Sequence, residues 1–282
     1  MNKGELVNII ENIYNSAEDN FIPTLPESRL YEMPLVGVGS ASDGLFEKYK
    51  DPGVIGPWYM TPEEWLPGCR SVISLFFPAS DEVKKSNRKM KDGTGEYWLY
   101  ARIEGQTFIQ NTMMKLKADL EDNYGMKTCV PQYDSRFIVV KRGEGVEGYS
   151  CVNEQTFGSN WSERHAGFIC GLGTFGLSKG LITEKGMAGR MGSILIDHEI
   201  EPDKRPYTDR YEYCTKCGAC IKRCFRNAIS LNMDKTVTLA DMDKGKNHNI
   251  CEEWLGQARK LYAPRYGCGL CQTGVPCESQ IP

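Results

Sequence analysis

Seven of the twelve cysteines in this 282-residue chain fall in two short runs near its C-terminus. The first reads Cys214-x2-Cys217-x2-Cys220-x3-Cys224 and the second Cys268-x2-Cys271-x5-Cys277. No hydrophobic pattern in the chain constrains the fold as tightly, because thiols at this spacing have to be gathered around something. A cubane iron–sulfur cluster needs four thiolates, and a C-x2-C-x2-C loop wraps three of them onto one face. The fourth must arrive from elsewhere in the chain.

The first run has the spacing of the bacterial ferredoxin motif, whose fourth cysteine crosses to the other of two [4Fe–4S] clusters. On that pattern Cys214, Cys217 and Cys220 hold one cluster together with Cys277. Cys224 joins Cys268 and Cys271 on the second. Cys251, the unused cysteine between the runs, completes that set, so that eight thiols meet eight positions. Two other readings compete. A zinc ribbon uses two C-x2-C knuckles and accommodates three cysteines at x2 spacing poorly. A disulfide framework suits a secreted chain, and Met1-Asn2-Lys3-Gly4-Glu5 has no secretory character. One departure from the motif is Phe225, which follows Cys224 where proline is usual; that proline shapes backbone and supplies no ligand.

The length allows one sizeable core, expected over 1–202, ahead of a small cluster domain over 203–282. No apolar run approaches the length of a membrane span, so cytoplasmic residence without a membrane partner is the expectation. A net charge of −3 argues against a general hold on nucleic acid. The basic run from Lys84 to Lys91 reads as a solvated loop. Its alternative is a docking patch for an acidic electron donor of the ferredoxin or flavodoxin type.

Apolar side chains three and four apart predict an amphipathic helix over 4–17. Pro34 to Gly39 reads as a short buried strand, and Ser71 to Phe77 as a central one ending at Pro78. Thr61-Pro62-Glu63-Glu64 is a helix start, with a threonine cap and proline at the first position. Residues 96–123 form a long periodic helix stopped by Gly125. Strands are expected near 127–131, 136–141 and 191–197. The mixture is α+β.

Gly171-Leu172-Gly173-Thr174-Phe175-Gly176 matches G-x-G-x-x-G. A dinucleotide fingerprint must open a helix, whereas Leu181-Ile182-Thr183 downstream is strand-like. The glycines instead bring backbone close to another ligand, or they serve a structural turn.

Ala166 to Gly176, followed by Leu181-Ile182-Thr183, Gly192-Ser193 and Asp197, resembles the stretch shared by epoxyqueuosine reductases and reductive dehalogenases. Trp65 to Ser74 is similar to the segment where those proteins enter a core strand. Arg265 to Thr273 is similar to the second cluster run of epoxyqueuosine reductases, with Cys251 matching their isolated cysteine. The similarity runs in order from about residue 34 to 282. It implies a nitroreductase-like core holding a corrinoid, capped by a two-cluster ferredoxin-like domain. The clusters would pass single electrons to cobalamin, either the chain's own or that of a partner corrinoid protein. Gly171, Gly173 and Gly176 would lie on the cofactor, with Arg190 clamping a phosphate or carboxylate.

Departures from the family bear on the reaction. Phe157 stands where epoxyqueuosine reductases place a catalytic aspartate, and Leu177-Ser178 replaces their Lys-Asn. Asp197-His198 has the wrong spacing for the Asp-x-His-x-x-Gly corrinoid motif. The chain ends five residues past Cys277, without their C-terminal repeats, so tRNA is not an expected partner; nor is there a twin-arginine leader. The expected function is an iron–sulfur reductase linked to cobalamin or acting on a small substrate. The alternatives are an electron-transfer module without corrinoid, and a tRNA-modifying reductase. Proton-donor candidates are Tyr149, Glu163, Arg164, His165 and Arg190, with Glu163 and Arg164 favoured as a helix-surface ion pair and His165 as a core or capping residue. Cys69, Cys129, Cys151 and Cys170 read as packing. Trp161 and Phe175 could face a flat macrocycle.

Overall fold

The computed structural model describes residues 1–140, 146–149, 158–233 and 236–282. Its centre is a four-stranded sheet in the order Leu35–Ser40, Ser71–Pro78, Gly189–Ile196, Thr128–Cys129, with every neighbouring pair antiparallel. All eight residues of Ser71–Pro78 are buried, as a strand covered on both faces requires. Side chains alternate across it. Ile73, Leu75 and Phe77 join one core with Ile194 and Ile196, while Val72 and Leu195 join another.

The first core lies under two helices. Lys3–Asn15 starts with a capping box in which Asn2 and Glu5 satisfy each other's backbone amides. Its Leu6 and Ile10 meet Phe108, Met113, Leu116 and Leu120 of the long Glu96–Tyr124 helix. Gly125 ends that helix at φ 66°, a left-handed cap that glycine adopts without penalty. Gly192 lets the helix approach the sheet, since a side chain there would press on Met113 at 3.2 Å.

The second core covers the opposite face with Phe46, Tyr59, Trp65 and Trp161 and with the short helix Glu163–Ile169. The strands expected near 127–131 and 136–141 shrink to Thr128–Cys129 and Val139–Val140. Cys129 donates to Asp134 Oδ2 (3.6 Å), and Asp134 and Arg136 hold an ion pair of 2.9 Å, so side-chain bonds replace a longer ladder.

A third core joins the cysteine-bearing segment to the rest of the chain. Leu177, Ile182 and Met187 pack with Tyr211, Cys220, Ile229, Met242 and Val275. Ile182 of the Gly173–Phe175 and Leu181–Thr183 hairpin thus packs with residues beyond 203. The C-terminal chain also bonds directly to the core, Met187 N donating to Cys277 O (2.9 Å) and Ala188 N to Glu278 O (3.1 Å).

The basic run is helical as far as Arg88, with Lys84 buried and Lys85, Arg88, Lys89 and Lys91 exposed. Asp81–Arg88 is a helix capped by Ser80. Lys84 is buried between Asp81 (3.1 Å) and Glu32 (3.7 Å), and Arg88 pairs with Glu278 (2.8 Å). The fully buried Asn87 donates to Thr273 Oγ1 (2.9 Å) and accepts from Gly95 N (3.0 Å). This helix thus fastens the second cysteine run to the core. Among the described residues no helix is long and apolar enough to cross a membrane.

Candidate functional site: two thiol sets and a cationic cavity

The eight cysteines fall around two separate spaces. Cys214, Cys217, Cys220 and Cys277 line a small cavity of about 20 Å³, with Gly176, Leu177 and Ser178 on its wall. Cys224, Cys251, Cys268 and Cys271 line a second of about 410 Å³ that runs into the core. The grouping repeats the division expected from the spacing. Among the described residues no three His, Cys, Asp or Glu side chains are grouped to hold a single metal ion.

Local backbone explains how each run is shaped. Lys216 and Gly218 turn the chain at φ 56° and 71°, between Cys214 and the short helix Ala219–Arg223 that presents Cys220. Cys224 follows, its sulfur accepting from Ala228 N (3.3 Å). Phe225 packs edge-on against Trp254, with ring centres 4.9 Å apart. Trp254 lies three residues after Cys251 on the His248–Leu261 helix, so phenylalanine in place of proline helps seat the helix that carries Cys251. Between Cys268 and Cys271, Gly269 adopts φ 74° with Trp98 pressed onto its Cα. Arg223 crosses the two runs, donating to Thr273 O (3.0 Å) and Met90 O (2.8 Å).

Burial pushes the thiols of Cys220, Cys268 and Cys277 up to about 12. Bare thiolates would be costly here, and a bound metal that takes the proton's place removes that cost. Cys217, in contrast, is exposed, which puts the first set at the protein surface.

The large cavity is walled on its core side by Tyr31, Trp98, Arg102, Trp161, Glu163 and Arg164, and by Gly189, Arg190 and Met191 at the start of the long sheet strand. Glu163 is not in a surface ion pair. Both carboxyl oxygens are buried and make no hydrogen bond of good geometry; their polar neighbours Trp161 Nε1 and Ser193 Oγ lie close enough to favour the ionised form and bond each other at 2.8 Å. Desolvation raises its pKa to about 7, with Ser193 and Trp161 pulling weakly the other way. Arg164 lines the cavity with an exposed side chain. His165 turns away: its Nδ1 meets Ser162 Oγ at 2.7 Å and its ring packs on Tyr49 and Phe175. Desolvation, with help from Arg164 and Lys179, holds it down to about 3, so it stays neutral.

The glycine turn does not line the large cavity. Gly173 lies in a hairpin strand where a Cβ would fall 1.9 Å from Ile182 O, and Gly171, at φ 78°, packs on Lys204 O. Their missing side chains make room for backbone packing. Gly176 reaches the small cavity only, and Phe175 reaches neither. Arg190 and Trp161 do line the large one. Tyr149 lies outside it, edge-on to Trp58. Cys170 is packing, its thiol donating to Val72 O (3.3 Å). Cys151 and Phe157 lie outside the described residues. Sequence reasoning missed Tyr31, Arg102, Arg226, Lys246 and Trp254 on the cavity wall. They are scattered along the chain, and no spacing signal connects them.

The 4Fe-4S binding domain family matches residues 207–230, the stretch that contains Cys214, Cys217, Cys220 and Cys224. Selenomethionine-labelled epoxyqueuosine reductase superposes over 97% of this chain and 66% of its own, with TM-score 0.52 and 16% identity. Epoxyqueuosine reductase with an epoxyqueuosine-modified tRNA stem loop covers 98% of this chain and 65% of its own, with TM-score 0.54 and 17% identity. This chain has the epoxyqueuosine reductase fold. Tetrachloroethene reductive dehalogenase of Desulfitobacterium hafniense is 29% identical over 112 residues, 39% of this chain and 19% of that protein's length. The resemblance to the epoxyqueuosine reductase and reductive dehalogenase superfamily stands on these matches. The chain carries a 4Fe-4S binding segment, and it spans less than a fifth of the curated relative it matches and about two thirds of the two solved structures.

Proposed function

We propose that this chain is an iron–sulfur reductase whose second thiol set opens onto a substrate- and cofactor-binding cavity. The observation that carries the reading is the shared wall: Cys224, Cys251, Cys268 and Cys271 line the same space as a partnerless carboxyl, Glu163. An electron-transfer module needs thiols near its surface and no such cavity.

Cys214, Cys217, Cys220 and Cys277 hold one [4Fe–4S] cluster, and Cys224, Cys251, Cys268 and Cys271 hold the other. Two sets of four thiols, each around its own space, fit that pair. A corrinoid would lie against the aromatic faces of Tyr31, Trp98 and Trp161 on the cavity wall, which leaves Arg164 and Arg190 for another ligand. When bound, these groups supply one-electron carriers and a cobalt centre that accepts their electrons. The protein residues do the rest. The exposed Cys217 marks the face where an electron donor of ferredoxin or flavodoxin type docks. Trp98, Trp161 and Trp254 keep water from the second thiol set. Glu163, neutral below about pH 7, delivers a proton from its carboxyl at the cavity wall. The core is nitroreductase-like in this reading. tRNA has no part in it, in line with the net charge of −3.

The test is anaerobic reconstitution with iron and sulfide, followed by cobalamin titration read by absorbance and EPR. About eight irons per chain are expected, falling to about four in Cys251→Ala. Unchanged iron and EPR in that variant would remove Cys251 as a ligand. No spectral change with excess cobalamin would sink the corrinoid part.

A further inference from the structure

Five cationic side chains, Arg102, Arg164, Arg190, Arg226 and Lys246, line the large cavity against one carboxyl, Glu163. Arg102, Arg190, Arg226 and Lys246 are only partly exposed and Arg164 is exposed; a charge partly withdrawn from water is costly without a partner. The acceptors found for these cations are neutral: Gln106 Oε1 for Arg190 (2.8 Å), the Tyr266 hydroxyl for Arg102 (3.3 Å) and Ser178 O for Lys246 (3.0 Å). Arg164 makes no hydrogen bond or ion pair among the described residues. Two further donors on the wall lack an acceptor, Arg226 Nε and Trp254 Nε1, the latter in a side chain only 7% exposed.

What the cavity lacks is negative charge with accepting oxygens. Part of it comes from the thiol set, since Arg164 is electrostatically coupled to Cys271 and Cys251. Arg190 has no such neighbour. The groups that act on it are Arg102 and Arg164, which make its charge costlier, and the hydroxyls of Tyr31 and Tyr133. Desolvation already holds it down to about 10. Its hydrogen-bond acceptor among the described residues, Gln106 Oε1, is neutral, which leaves a counter-charge for a bound group to supply.

We infer that the cavity receives a small organic oxyanion, a carboxylate or phosphate, gripped by Arg190 with Arg164 as a second contact toward the thiol set. A planar guanidinium fork meets two oxygens of such a group at once. The neutral form of Glu163 leaves that grip uncontested. The inference rests on the proposed reductase reading and gives its substrate class.

The test uses the reconstituted, cluster-bearing chain under anaerobic conditions, with cobalamin present. Benzoate and phenyl phosphate are the anionic probes and benzamide the neutral control, with binding read by calorimetry. At least one anion is expected to bind about thirty-fold more tightly than benzamide, and Arg190→Gln to remove that advantage while Arg190→Lys keeps part of it. Unchanged iron content and EPR in Arg190→Gln show that its loss belongs to the cavity and not to the fold. Equal affinity for benzoate, phenyl phosphate and benzamide would overturn the inference, as would anion binding unchanged in an Arg164→Gln/Arg190→Gln double variant. Anion binding that is lost whenever cobalamin is added would also overturn it, by assigning the oxyanion to the cofactor's own phosphate. Absence of iron from the wild-type chain would instead count against the reductase reading.

Discussion

Replacing Glu163 by glutamine should stabilise this protein, and more so as the pH rises. Both oxygens of the carboxyl are shut from water without a partner, and desolvation lifts its pKa from 4.5 to about 7. A tenfold change in proton affinity is worth about 1.4 kcal/mol, so holding the ionised form in the fold costs on the order of 3 kcal/mol. The sign follows from proton counting. Between about pH 4.5 and pH 7 the folded chain keeps a proton that the unfolded chain has released, so stability falls as pH rises through that window. Below it the cost is absent, and above it the cost is complete. Glutamine keeps the shape and cannot ionise. Denaturant melts of wild type and Glu163→Gln, run anaerobically, should therefore diverge by about 2–3 kcal/mol in favour of the variant between pH 5 and pH 8. Infrared titration supplies a direct readout, a protonated-carboxyl band that disappears near pH 7 and is missing from the variant. A stability difference that does not change with pH, or the absence of any carboxyl titrating above about pH 6, would refute the burial argument and the proton-donor role built on it.

Two other perturbations test how the second thiol set is held. Gly269→Ala puts a methyl group 2.1 Å from Trp98 Cε2 at a backbone φ of 74°. It should cost about 2–4 kcal/mol in thermal or denaturant melts and lower the iron retained between Cys268 and Cys271; a wild-type melt and iron count would contradict the packing described. Asn87→Ala leaves Gly95 N and Thr273 Oγ1 without their partner in a fully buried place. A loss of about 2–3 kcal/mol is expected, together with faster proteolysis of the C-terminal segment, and unchanged protease resistance would deny that the helix anchors it.

Local chemistry made parts of this protein legible in advance. The Thr61 capping box, the left-handed stop at Gly125 and the buried Ser71–Pro78 strand each depend on a few adjacent residues, and each is found where the pattern puts it. In the Lys84–Lys91 run charge suggests solvent, and Lys85, Arg88, Lys89 and Lys91 are exposed, but Lys84 finds carboxylates on two elements and Asn87 a buried threonine far along the chain. Glu163 misled for the opposite reason: an acid beside an arginine reads as a surface pair, yet the 163–169 helix lies against the sheet and turns its first residues into a cavity.

By itself the sequence set the expectation that eight thiols divide four and four, because ligand spacing is a property of short loops and a count. Only the tertiary structure decided what the second set faces. Arg102, Arg164, Arg190, Arg226 and Lys246 come from segments far apart in the chain, and a charge-rich cavity arises only when the long helix, the sheet strand and the Cys251 helix close around one space. It was likewise tertiary packing that turned the glycine-rich stretch from a suspected cofactor cradle into a hairpin. There the carbonyl of Ile182 occupies the room a side chain would need, and no local pattern reports how closely a distant backbone approaches.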